Sequence, residues 1–221
     1  MKQKLTSTQR ALNLWAIILI FWAFYRSYIK MPEWFDELIA KPFVFVLPVF
    51  YYVTKVDKKD IFEYFFFNTK LKEVWKDFIY SLGIGAIFLF TSILAVFFRT
   101  GKFAFIGRVP TASQFTTIVI LALATGITEE ILSRGFVMRK LYEESKNILS
   151  STFFASILFF FLHVPILFTN IKVTGNLLLV FMITDLLLSM VNGLIFLQRR
   201  SLLVPIFIHT FYNIIIALSF I

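Results

Sequence analysis

The chain contains no cysteine. Disulfides, thiolate nucleophiles and thiolate metal sites are therefore excluded. Charged residues are scarce, at 16% of 221 residues, and 59% are apolar, with a mean hydropathy of +0.82. A soluble domain of this length needs far more polar surface to cover its core. Histidine occurs only twice, at His163 and His209. There is no HExxH motif, no internal repeat and no low-complexity linker. Acids are outnumbered 13 to 22 by Lys and Arg, for a net charge of +9. Nucleic acid is one reading of that excess. A cation bias on the inner side of a membrane explains it more simply, and no nucleic-acid partner is expected.

What the chain does have is apolar surface, including thirty phenylalanines and four tryptophans. The solvent that suits such a surface is a lipid bilayer. The expected fold class is all-α, a polytopic membrane protein of about seven transmembrane helices. About 20 mostly apolar residues make one span. Candidates are 12–29, 38–53, 78–98, 114–141, 149–168, 173–197 and 201–221. The second is the weakest, being short and carrying Pro42 and Pro48, and re-entry is its alternative. The N-terminus is basic like a signal peptide, but Tyr25, Arg26 and Tyr28 stand where a cleavage site needs small residues, so the first run reads as a retained helix.

Lys and Arg set the orientation. With the N-terminus inside, fourteen fall on inner segments, around Lys2–Arg10, Lys55–Lys76, Arg139–Lys146 and Arg199–Arg200. Seven fall outside: Arg26, Lys30, Lys41, Arg99, Lys102, Arg108 and Lys172. The expected protein is multi-pass in a cell membrane with a cytoplasmic N-terminus. Residues 60–77 mix five aromatics with lysines and acids, and read as an interfacial amphipathic stretch or a plain loop. Ser81/Gly85 and Ala122/Gly126 have the spacing that permits close helix contact. Residues 1–113 read as N-terminal helices plus that inner segment, and 114–221 as a helical core that carries the unusual residues.

Ionisable residues inside the spans are few and clustered. The fourth span holds Glu129, Glu130 and Arg134, the fifth His163, the sixth Asp185, and the seventh His209 with Asn213. A charge at mid-bilayer costs about 2.5–3.5 kcal/mol on insertion scales, so such a cluster reads as a functional site by default. Glu130 and Arg134 are four apart and can pair. Glu129 is turned about 100° from Glu130. The turn between the fourth and fifth spans centres on Lys146. Glu129 and His163 lie equally far from it in sequence and therefore at equal depth. His209 sits somewhat nearer the inner face, a difference that helix tilt can close.

A carboxylate, two imidazoles and an amide in a confined apolar site suit water activation. A buried carboxylate can serve as the base, a neighbouring His can hold the same water, and a second His with an Asn can donate to an oxyanion. One such donor is worth about 3 kcal/mol in acyl transfer. The reaction class is hydrolysis, of a peptide bond in the first place. Plainer readings stand beside it. Glu130–Arg134 reads as a structural ion pair, His163 alone or His209/Asn213 alone as helix-bridging hydrogen bonds, and Asp185 as polar packing or a cavity wall. Zinc held by Glu129, His163 and His209 is a further alternative. A transporter reading lacks the inverted repeat and broken helices it needs.

The sequence here resembles a known family. Glu129-Glu130-Ile131-Leu132-Ser133-Arg134 matches EExxxR, Phe159 to His163 matches FxxxH, and His209 to Asn213 matches HxxxN. In that order these look like the three motifs of the CPBP family, which includes type II CAAX-prenyl proteases and bacteriocin-processing or self-immunity (Abi) proteins. The stretch 193–205 is also similar, and the resemblance covers about 114–216. It implies an intramembrane glutamate-dependent endopeptidase whose site is enclosed by the last four helices. By that analogy Glu129 and His163 activate the water, His209 and Asn213 form the oxyanion site, and Glu130 and Arg134 position the motif or contact substrate. No cofactor is expected, with zinc as the alternative. The expected substrate is a membrane-associated protein or peptide precursor, of bacteriocin, pheromone or lipid-modified type in a bacterial member. A non-proteolytic self-immunity or scaffold role with a membrane protein partner is the alternative.

Overall fold

The computed structural model describes residues 5–29, 31–67, 70–101, 109–169 and 175–219. Among them the regular structure is all helix, with no strand. The helices are α1 (Ser7–Tyr28), α2 (Glu33–Val56), α3 (Ile61–Tyr64), α4 (Leu71–Thr100), α5 (Ala112–Ser145), α6 (Ile148–Thr169), α7 (Gly175–Arg199) and α8 (Leu203–Ser219). Six contain stretches long and apolar enough to cross a membrane, and α8 contributes a shorter apolar stretch, Leu203–Leu218. The chain is a polytopic membrane protein. Of the charges counted above, Lys2, Lys4, Lys30, Lys102, Arg108 and Lys172 lie outside the described residues, as do the expected start of the sixth span at 173 and the end of the seventh at 221.

Local sequence explains the ends. Thr6 and Gln9 form a reciprocal capping box at the start of α1, and Thr111 and Gln114 do the same for α5. Lys146 adopts the left-handed conformation between α5 and α6, so the turn falls on the residue about which the depth comparison was centred.

The doubtful second span is one continuous helix in the structure. Its turns widen to π-helical geometry at Asp36–Ala40, Pro42–Val46 and Tyr52–Val56. Proline lacks the N–H of a regular ladder and crowds the carbonyl four residues back, and a wider turn accommodates both defects at Pro42 and Pro48.

The stretch 60–77 does not behave as one unit. Asp60 caps α3, Tyr64 and Phe65 bury in the core, and residues from Leu71 onward extend α4. A plain loop does not describe it, because the described parts are largely helical and partly packed into the core. The aromatics insert because Gly135 leaves room: an added Cβ there would lie 2.4 Å from the Phe65 ring.

The main apolar core joins both halves of the chain. Trp15, Trp22 and Tyr25 of α1 and Phe45 of α2 share it with Phe136, Phe159, Phe196 and Ile206. Tyr25 donates to Asp36 at 2.6 Å and Arg26 pairs with the same carboxylate, tying α1 to α2. In lipid, helix association depends on close packing more than on expulsion of water. Accordingly α8 lies in contact with α4, α5 and α7. Gly126 lets α8 approach α5, because a Cβ there would stand 3.0 Å from the Ile206 carbonyl oxygen. Gly85 lies against Phe211, and Ser81 donates to the Val204 carbonyl at 3.2 Å. Both small-residue pairs therefore lie at helix contacts.

Candidate active site

Glu130 is the hub of the buried polar cluster. Its Oε1 accepts hydrogen bonds from Arg134 Nη1 (3.0 Å), Asn192 Nδ2 (3.0 Å) and His209 Nδ1 (2.8 Å). One carboxylate oxygen thus joins α5, α7 and α8. Immediately after Glu130 the backbone of α5 widens into π-helical turns over Ile131–Met138. Such segments are frequent at functional sites. Every side chain of that segment is buried, and Arg134 lies with its guanidinium 4.3 Å from the Phe159 ring centroid. The Phe159 ring also neighbours both imidazoles, at 4.8 Å from His163 and 5.8 Å from His209. The Phe of the FxxxH pattern therefore packs against three of the motif side chains.

Glu129 presents its two oxygens to different neighbours. Oε1 accepts from Lys41 Nζ at 2.7 Å. Oε2 is buried without a hydrogen-bond partner among the described residues. It lies 3.5 Å from His163 Nε2 and 3.8 Å from His209 Nε2. The equal depth expected of Glu129 and His163 is met, and His209 reaches the same carboxylate. The two neighbouring carboxylates, turned apart on α5, face the His209 ring from its two sides, Glu130 bonding Nδ1 and Glu129 standing 3.8 Å from Nε2.

The outer nitrogen of each imidazole fixes its proton. His163 Nδ1 lies 3.2 Å from the Phe159 carbonyl, which can only accept, so Nδ1 carries the hydrogen there. Asp185 Oδ2 stands 3.4 Å from the same nitrogen. Asp185 thus stands within ion-pair distance of His163, a proximity the sequence did not reveal, while its Oδ2 makes no hydrogen bond among the described residues. His209 Nδ1 likewise donates to Glu130. In both rings Nε2 is the atom that faces Glu129.

A cavity of about 520 Å³ reaches this cluster. Glu129, His163, Asn213 and Lys41 line it together with residues such as Glu33, Thr117, Ile118, Ile216 and Ala217. Asn213 therefore stands on the cavity wall with Glu129 and His163. His209 is nearly closed off, at 2% side-chain exposure, and His163 is open to 26%. Near the α5–α6 turn, Glu143 is partly exposed and pairs with Arg139 at 3.0 Å.

Sequence reasoning missed Lys41, Glu37 and Asn192. Lys41, counted above among outer-segment cations, is 3% exposed and inside the bundle. It also pairs with Glu37 at 2.7 Å, and Thr125 donates to the same Glu37 oxygen at 2.6 Å. The i, i+4 spacing of Glu37 and Lys41 was the available signal. Asn192 carried none.

The residues do not fit a divalent cation. Among the described residues no group of three or more His, Asp or Glu side chains is arranged to hold one. The Lys41 ammonium, already on the Glu129 carboxylate, would be a like charge beside it.

Residues 111–215 match the family model described as type II CAAX prenyl endopeptidase Rce1-like. No curated protein matches the chain, and no solved structure does.

Proposed function

We propose, from the match of residues 111–215 to the Rce1-like type II CAAX prenyl endopeptidase family model, that this membrane protein hydrolyses a peptide bond by water activated between Glu129 and His163. The observation that carries the reading is the buried, unpartnered Glu129 Oε2 facing two imidazole Nε2 atoms within 4 Å, beside a cavity lined by Glu129 and His163. The gap to His163 is too long for a hydrogen bond and suits a shared water.

Glu129 Oε2 takes a proton from that water while His163 Nε2 holds it. The water oxygen bonds to the scissile carbonyl carbon, and the carbonyl oxygen becomes an oxyanion. Asn213 donates to it from the cavity wall, as does His209 Nε2 when that ring carries both protons with Glu130 as counter-ion. The C–N bond then breaks and the proton held by Glu129 passes to the leaving amine. Glu130 and Arg134 fix the position of His209 and of α5. No metal takes part in this scheme.

The Lys/Arg balance supports a cell-membrane orientation with a cytoplasmic N-terminus. In that orientation the cavity, lined by the start of α2, the start of α5 and the end of α8, lies toward the side away from the N-terminal face. The substrate class is a membrane-associated precursor, lipid-modified or of bacteriocin or pheromone type, in a bacterial host.

The test uses the full chain in liposomes with an internally quenched, farnesylated peptide ending in a CAAX sequence, and in cells with a co-expressed precursor. Glu129→Gln and His163→Ala abolish cleavage at unchanged protein level, and chelators leave the wild-type rate unaltered. Unchanged cleavage by both variants defeats the proposal. A cellular phenotype that survives both changes but fails when helix faces are altered points to a scaffold or immunity role instead.

A further inference from the structure

Lys41 comes from α2, outside the family-matched domain, yet its ammonium meets the carboxylate assigned as base. It lies between two π-helical stretches, Asp36–Ala40 and Pro42–Val46, and its own N–H bonds to the Asp36 carbonyl five residues back. The wide turns allow a helix with two prolines to hold this one side chain in the bundle interior. The ammonium bridges Glu37 Oε2 and Glu129 Oε1, both at 2.7 Å, and Thr125 anchors Glu37 from α5. Lys41 also lines the cavity.

The consequence for Glu129 is a division of labour between its oxygens. Oε1 is held by Lys41, and Oε2 is left free toward His163 and His209. Without the ammonium, the carboxylate could rotate and offer either oxygen to the imidazoles. We propose that Lys41 is a positioning residue for the reaction, fixing the Glu129 rotamer so that Oε2 alone meets the water. This rests on the assignment of Glu129 as base.

Two measurements test it on the full chain in liposomes. The first compares wild type, Lys41→Met, Lys41→Arg, Lys41→Met/Glu37→Gln and Glu129→Gln on the farnesylated quenched peptide. The double variant removes one of the two carboxylates that Lys41→Met would leave unpaired, and so keeps the test usable if the single variant does not fold. A misplaced reacting group costs about 100-fold in rate. Both Lys41→Met variants should therefore lose about that much in kcat. Their KM should stay within about two-fold, since uniform binding is untouched. Lys41→Arg keeps the charge and should recover part of the loss. A Lys41→Met/Glu37→Gln protein with wild-type kcat overturns the positioning role while leaving Glu129 as base. A Glu129→Gln protein with wild-type kcat removes the base itself, and the positioning role with it.

The second needs no substrate. The carboxylate stretch of Glu129, identified by its loss in Glu129→Gln in infrared difference spectra, should shift in Lys41→Met/Glu37→Gln relative to Glu37→Gln. An unmoved band overturns the proposal.

Discussion

Replacing Arg134 by Met would leave the Glu130 carboxylate buried with Asn192 and His209 but without its cation. Arg134 is 1% exposed and Glu130 is 0% exposed, so water cannot substitute for the lost partner. The guanidinium also loses its place over the Phe159 ring. Breaking a buried ion pair from one side costs about 3–5 kcal/mol, because a charge is left uncompensated. For a domain of 150–250 residues about 2–4 °C of Tm is lost per kcal/mol, so the expected fall is about 6–20 °C. Tryptophan fluorescence of the protein in detergent, heated at a fixed scan rate, reads it. The decisive comparison is Arg134→Met/Glu130→Gln, which removes both charges and should unfold at a higher temperature than Arg134→Met alone. If Arg134→Met unfolds within a degree or two of wild type, or if the double variant is no better than the single, the cluster is not held by this pair and the reasoning fails.

Two other perturbations probe placement. Gly126→Ala would put a Cβ 2.9 Å from Thr210 Oγ1 and 3.0 Å from the Ile206 carbonyl. Because one obstacle is backbone, α8 must move, at a cost of about 1–3 kcal/mol. Turnover should fall with it as His209 shifts, and adding Thr210→Ala should not restore it. Asp185→Asn removes the negative charge 3.4 Å from His163 Nδ1. The expected result is a drop in kcat of about ten-fold, less than the roughly 10²–10⁴-fold of a group that itself transfers the proton, because Asp185 acts through His163, with KM unchanged. An unchanged kcat would leave Asp185 as cavity wall only.

The membrane character and most of the clustered residues were legible because they are local properties. A run of apolar residues, an i, i+4 pair and an equal distance from a turn need no tertiary information. The turn at Lys146 has the left-handed geometry a short hairpin needs, and with it the depth match of Glu129 and His163 held. Helix rotation was not legible, and that hid how Glu129 and Glu130 converge on opposite nitrogens of His209. The second helix was undervalued for a physical reason. Its prolines and its Glu37 and Lys41 lower apparent lipid compatibility, yet π-helical turns absorb the prolines and Glu129 neutralises the lysine from α5. A partner 88 residues away leaves no trace in local spacing. The aromatics at Tyr64 and Phe65 were misplaced for a similar reason, since the space they fill is made by Gly135 on another helix.

Oxygen tracing tests the central claim most directly. The purified protein in liposomes cleaves the farnesylated peptide in ¹⁸O-labelled water, and the fragments are weighed by mass spectrometry. Wild type should place one labelled oxygen in the new carboxyl group of the amino-terminal fragment, and Glu129→Gln, folded to the same extent, should release no fragment. Equal cleavage by the two proteins would contradict the assignment of Glu129 as the base that activates the water.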